Sequence, residues 1–287
     1  MISNKKINVL WIDDEIDRTE DARYIAQKTE NLRIEVIHPI EEKMKDRLAQ
    51  IKDKKNLQDL FLIDYFLDRK AMRPRGEKFE SRALSLAGRI RELLPEYPIY
   101  VLSNKERDSE GIFASEAQAA KASFDKILTL RDVQRYGHRI LYFDALDYRL
   151  IRNSERNKID ALFKLLKAPE EITDKLKLVL PDELQYGLSS PSRSKIPFGN
   201  AISFANWVRE LILNIPGFLY DELYTATYLG MKREYFKNIS SKFKKAVYSG
   251  VFASTSPNLW WVIEIKYYFQ NLKLKEVKKP TLGKLLN

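Results

Sequence analysis

Apolar positions in the first 150 residues fall into short runs that alternate with amphipathic stretches. INVLWI (7–12) and DLFLID (59–64) are nearly continuous apolar runs, the pattern of strands buried on both faces. LRIEVI (32–37) alternates at period two, as a half-exposed strand does. PIYVLS (98–103) and FDKIL (124–128) complete a set of five. Between these runs helices are predicted over 17–28, 40–54, 81–94 and 115–121, the third stopped by Pro95, with a closing helix from Arg131 onward. Strand–helix alternation predicts an α/β doubly wound parallel five-stranded sheet covered by helices on both faces. In such sheets ligands collect at the carboxyl ends of the strands.

From Arg131 to Lys167 the spacing is helical. One face would carry Ile140, Leu141, Phe143, Ala145, Leu146 and Leu150, and another Ile159, Leu162, Phe163, Leu165 and Leu166. Such a linker carries homodimer contacts or is a plain spacer, and both readings stay open. YGLSSPSRSKIPFG (186–199) concentrates Ser, Pro and Gly and marks a loop. The predicted organisation is therefore an α/β domain over 1–135, a helical linker over 136–185 and a mostly α-helical domain over 186–287.

Charge divides along the same line. Residues 1–150 hold 28 basic and 27 acidic residues, whereas residues 151–287 hold 22 and 13. A nearly neutral front and a basic back suggest two different jobs, the second with a phosphate-bearing partner such as DNA. The chain has no cysteine and only His38 and His138, which excludes disulfides, thiolate metal sites and a multi-histidine zinc site. No apolar stretch is long enough to cross a membrane and the short N-terminal run is no signal peptide, so a cytoplasmic location is expected.

Chemistry enters at the strand ends. The first strand runs into Asp13, Asp14 and Glu15, the third delivers Asp64, and the fourth delivers Ser103. Crowded carboxylates repel one another unless their pKa values rise or a cation joins them. A hard cation such as Mg²⁺ takes oxygen ligands of this kind. Asp64 would be a nucleophile able to accept a phosphoryl group, and the Ser103 hydroxyl could bond one of its oxygens. The bland alternative is a solvated strand end.

The acid pair in IDDE, the aspartate closing LFLID and the hydroxyl in YVLSN together resemble the receiver domain of two-component response regulators. The resemblance spans about residues 5–135. It implies that Asp13 and Asp14 hold Mg²⁺ with Asp64 and the carbonyl of Phe66. It further implies that Asp64 is the phosphoacceptor, that Ser103 is the switch hydroxyl, and that a sensor histidine kinase or another protein is the partner. Three features depart from the pattern. Thr129 stands where receivers carry a lysine after the fifth strand, and Lys126 lies three residues earlier, where an aromatic switch residue is usual. Asp14 and Asp64 are about fifty residues apart, more than is typical. The stretch YFLDRKAMRPRGEKFE after Asp64 is long and charged. A pseudo-receiver that binds metal but phosphorylates poorly therefore remains open.

In the back half, TATYLGMKREYFKNI (225–239) resembles a helix-turn-helix. Ala226 would allow close helix packing, Gly230 a tight turn, and Met231, Phe236 and Ile239 would anchor the second helix. Lys232, Arg233, Lys237 and Asn238 would face outward to phosphates and base edges, with Lys242, Lys244 and Lys245 adding backbone contacts. Thr225 and Tyr228 depart from the pattern. The competing reading is a helical domain whose Gly230 only ends a helix and whose lysines are solvated. Trp260 and Trp261 are expected in the core. The predicted function is a response-regulator-like signalling protein, not an enzyme, whose receiver controls a DNA-binding output. The alternative is a pseudo-receiver or phosphorelay adaptor whose helical part binds a protein.

Overall fold

A computed structural model describes residues 6–15, 17–39, 41–53, 58–67, 83–103, 123–154, 159–182, 184 and 200–275. The chain divides into two compact units. The first comprises Met1–Arg152 with Lys195–Ile202, and the second Asn153–Ser194 with Ser203–Asn287.

Five parallel strands form the sheet of the first unit: β1 (Ile7–Ile12), β2 (Leu32–Ile37), β3 (Leu60–Asp64), β4 (Ile99–Leu102) and β5 (Lys126–Leu128). Their order is β2-β1-β3-β4-β5, a doubly wound arrangement. The central strands β3 and β4 are buried throughout, as their continuous apolar sequences require, while β2 at one edge alternates toward solvent. Helices α1 (Arg18–Gln27), α2 (Glu41–Lys52), α3 (Ala83–Leu93) and α4 (Leu130–Asn153) complete the described part of this unit. One face of the sheet packs Leu10, Ile12, Phe61, Ile63, Ile99 and Val101 against Met44 of α2 and Leu86 and Ile90 of α3. The predicted helix over 115–121 and the loop over 186–199 lie outside the described residues.

Helix α4 is one uninterrupted element of 24 residues, and the first unit reaches Arg152, past the boundary at 135 that the sequence suggested. The helix starts at Thr129, whose Oγ1 accepts the Asp132 backbone N–H at 3.1 Å while the Asp132 carboxylate accepts the Thr129 N–H at 3.0 Å. Gly137 brings α4 close to α1: a Cβ there would stand 3.5 Å from Ile25.

Two ion clusters fasten α4 to the sheet. Asp144, fully buried, accepts the Tyr100 hydroxyl of β4 at 2.7 Å and the Lys126 ammonium of β5 at 2.9 Å. Two turns on, Arg149 Nε donates to Asp59 at 2.8 Å, and Arg152, itself buried, lies 3.9 Å from the Tyr97 ring centre. Asp59 also accepts the Asn8 backbone N–H at 2.9 Å, so the segment entering β3 is held to β1 and α4 together.

The second unit holds α5 (Ile159–Leu166), α6 (Glu170–Leu178), α7 from Ser203 on (Asn200–Trp207, continued as a π-helical turn over Val208–Leu213), α8 (Glu222–Tyr228), α9 (Arg233–Ile239) and α10 (Val262–Lys275). A two-stranded antiparallel ribbon pairs β6 (Leu219–Tyr220) with β7 (Trp260–Trp261). Phe236, Phe243, Trp260, Ile265 and Phe269 form one core, which confirms Trp260 as a core residue, and Trp261 is equally buried. Gly250 passes so close to the end of α5 that a Cβ would stand 2.5 Å from the Leu166 carbonyl oxygen.

Replacing Asp144 leaves a buried tyrosine hydroxyl and a lysine without their shared acceptor. Asp144→Leu is expected to destabilise the protein by about 3 kcal/mol, read from the midpoint of chemical denaturation at unchanged m-value.

Candidate functional site

Parallel register decides which side chains meet. Ile12 pairs with Ile63 across β1 and β3, and Asp64 pairs with Leu102 across β3 and β4. The residues that follow each strand therefore emerge at one carboxyl edge. Asp13, Asp14 and Asp64 are all buried there, and each offers a carboxylate oxygen lying within 4.8 Å of the others. Ser103, also buried, follows β4 with its N–H donated to the Leu128 carbonyl at 2.8 Å. Phe66 stands two residues past Asp64 and is half-buried, its ring edge-on to Tyr65 at 5.1 Å.

Burial holds Asp13 and Asp64 above the usual carboxylate range. Asp64 is pushed up from 3.8 to about 8, first by desolvation and then by the charges of Asp13 and Asp14, against a lowering by Arg18. Asp13 rises to about 6 by desolvation, which outweighs the opposing Arg18 charge and the hydrogen bonds from Trp11 and Arg18. Three clustered carboxylate oxygens form a donor set for a hard divalent cation, and Mg²⁺ fits the chemistry of that set.

Two participants escaped the sequence reading. Arg18, the first residue of α1, donates from Nε to Asp13 at 3.1 Å, pairs with Glu15, and reaches Asp21 at 3.0 Å. Its spacing in DDEIDR, four residues after Asp14 and three after Glu15, was the available signal. Trp11 donates its indole N–H to the same Asp13 oxygen at 3.1 Å. Lys126 is bonded to Asp144 rather than brought to the strand end. Because Leu128 pairs with Leu102, Thr129 is the residue that stands beside Ser103.

In the second unit Lys232, Arg233, Lys237, Asn238, Lys242, Lys244 and Lys245 are all exposed. They follow a turn in which Gly230 has φ +66°, and no atom lies within 4 Å of where its Cβ would be, so conformation alone requires glycine there. Met231 N–H reaches the Ala226 carbonyl at 3.0 Å and Gly230 N–H the Thr227 carbonyl at 3.0 Å, a Schellman closure of α8. Phe236 and Ile239 are buried and Met231 half-buried, all within one core. Thr225 is fully buried. Tyr228 is instead exposed, its ring edge-on to Tyr220 at 5.8 Å.

The raised acids give a signed pH dependence. Between pH 4 and 8 Asp13 and Asp64 of the cation-free folded protein bind more protons than they do in the unfolded chain, so their contribution to stability falls as pH rises, and levels off above the Asp64 value of about 8. Thermal melts without divalent cations should show this decline. Asp64→Asn should flatten its upper part, and Mg²⁺ should raise stability most at pH 8.

No protein-family model matches the chain, and no curated protein matches it. Solved structures that match include response-regulator receiver domains, which span about half of this chain. A receiver-domain protein from Clostridium thermocellum is 13% identical, with a TM-score of 0.37, covering 51% of this chain and 98% of its own. The chemotaxis response regulator CheY4 of Vibrio cholerae is 17% identical, with a TM-score of 0.31, covering 44% and 88%. The signal receiver domain of an HD-domain protein from Pseudomonas fluorescens is 10% identical, with a TM-score of 0.37, covering 55% and 97%.

Proposed function

We propose that the first unit is a receiver-like signalling module in which Asp64 accepts a phosphoryl group. The observation that carries this reading is the meeting of Asp13, Asp14 and Asp64 as buried neighbours at the carboxyl edge of a 2-1-3-4-5 sheet. Asp13, Asp14 and Asp64 would hold Mg²⁺ together with the Phe66 carbonyl. When bound, Mg²⁺ supplies positive charge that favours the ionised acids and the oxygens of the transferring group. Asp64 must be ionised to act, and its value near 8 keeps it largely protonated at neutral pH without such a charge. One Asp64 oxygen then forms a bond to phosphorus while the bond to the leaving group breaks, the electron pair departing with that group. The Ser103 hydroxyl donates to a phosphoryl oxygen.

The test is incubation with acetyl phosphate and Mg²⁺ followed by intact-mass measurement. Wild type should gain one phosphoryl group and Asp64→Asn none. An unmodified wild type that still binds Mg²⁺ would favour the pseudo-receiver, in which partner binding alone carries the signal.

We further propose that the second unit is the output and binds DNA through α9. What supports this is the exposed basic series from Lys232 to Lys245 beside a glycine turn fixed by its φ angle. Binding to genomic fragments should weaken steeply with salt and drop at least about tenfold when Arg233 and Lys237 both become Glu. Equal affinity in that double variant would leave a protein-binding adaptor as the better account.

A further inference from the structure

The acids of the strand-end site already have a cation of their own. Arg18 is 12% exposed, and the Asp13 side chain it bonds is 1% exposed. Oδ2 of Asp13 accepts two donors, Trp11 Nε1 at 3.1 Å and Arg18 Nε at 3.1 Å, while Oδ1 accepts the Glu15 backbone N–H at 2.9 Å. A carboxylate oxygen has two lone pairs, so among the described residues Oδ2 is fully used and Oδ1 has one position left. The guanidinium is anchored on its other side by Glu15 and by Asp21 at 3.0 Å. Those two contacts, from the start of α1, hold it over Asp13.

We propose that Arg18 is a positioning residue that sets the divalent-cation affinity of the site by competing for Asp13. A cation approaching through Oδ2 has to displace the Arg18 Nε–H. One approaching through Oδ1 binds the carboxylate whose other oxygen the guanidinium holds. Both routes place two positive centres on one carboxylate, in surroundings where charges interact strongly. Arg18 therefore keeps the metal-free acids together and also makes the metal bind more weakly than three carboxylates otherwise would. Its retreat toward Glu15 and Asp21 accompanies cation entry, so loading of the site is coupled to the first turn of α1. The inference rests on the site being a cation site, as proposed above.

Calorimetric titration of the full chain with Mg²⁺ alone tests it, using wild type, Arg18→Ala, Arg18→Gln and Arg18→Lys, each checked for folding by circular dichroism. The two charge-removing variants should bind Mg²⁺ about tenfold more tightly, and their thermal midpoints should gain more from Mg²⁺ than that of wild type. Arg18→Lys, which keeps the charge, should stay near the wild-type affinity. A residue with a merely structural role would weaken binding or leave it unchanged when removed. If Arg18→Ala fails to fold, Arg18→Gln decides. Equal or weaker Mg²⁺ binding in the neutral variants, with wild type still binding, overturns the role of Arg18 and leaves the cation site standing. Absence of Mg²⁺ binding in wild type and all variants overturns the cation site and this inference with it.

Discussion

The constraint that shapes the first unit is the repulsion among three carboxylates held at one edge of a parallel sheet. Parallel pairing makes the meeting unavoidable. Once β1, β3 and β4 align through Ile12, Ile63 and Leu102, the next residues of each strand must emerge together. Those residues are Asp13, Asp14, Asp64 and Ser103, all buried. Burial alone would favour their neutral forms, and proximity adds to that preference. The protein answers locally, with an indole N–H, a backbone N–H and a guanidinium directed at Asp13. Of the two raised acids, Asp13 and Asp64, Asp64 is displaced further, to about 8, so its charge state depends strongly on what else enters the site.

Much of this was legible in the sequence because it follows from period and position. Buried strands announce themselves as continuous apolar runs, and the residue ending each run is fixed at the sheet edge once the strands are known to be parallel. Asp13, Asp14, Asp64 and Ser103 could be grouped on that basis. Arg18 could not, because a long side chain at the start of a helix can point to solvent or back over the strand end, and its spacing from the acids allows both. The Asp144–Lys126–Tyr100 cluster was equally hidden. Its members are separated by 18 and 44 positions from Asp144, and nothing in their local patterns marks an aspartate inside an amphipathic helix as buried. For the same reason α4 resembled the start of a linker. Its polar residues include Asp144, whose partners lie on β4 and β5, and Arg149, whose partner Asp59 immediately precedes β3, so the helix is tied to the sheet at both points.

The second unit shows how one turn can satisfy two readings. A glycine at positive φ with a Schellman closure ends α8, and the same geometry sends the chain into α9 at once. A helix stop and a helix-turn-helix turn are locally the same object, so sequence could not separate them. Both readings expect an exposed surface beyond the turn. Here that surface carries seven exposed residues able to donate to phosphate, with Phe236, Ile239 and Phe243 facing the core behind them. Aromatic packing secures the arrangement: Phe236 stands edge-on to Trp260 at 5.2 Å and tilted to Phe243 at 5.7 Å. The exposed side chains beyond the turn are thus mounted on a fixed frame.

Thr129 explains why the strand-end site departs from the receiver pattern where it does. The residue after β5 stands beside Ser103 and also begins α4, and no single side chain can both cap that helix and deliver an ammonium group to the acids. Here it caps, exchanging hydrogen bonds with Asp132. The lysine three residues earlier is held by Asp144, where it helps fasten α4 to the sheet. With both cationic routes through β5 closed, positive charge reaches the acids from the other side, through Arg18 on α1. The difference matters for how a signal could leave the site. A cation on β5 would report to β4 and α4, whereas one on α1 reports to the first turn of α1. The contacts of α4 brace the other side of the unit, through Asp144 to β5 and through Asp59 to the segment entering β3, so if Arg18 acts as proposed, the element whose contacts would change on cation binding is α1.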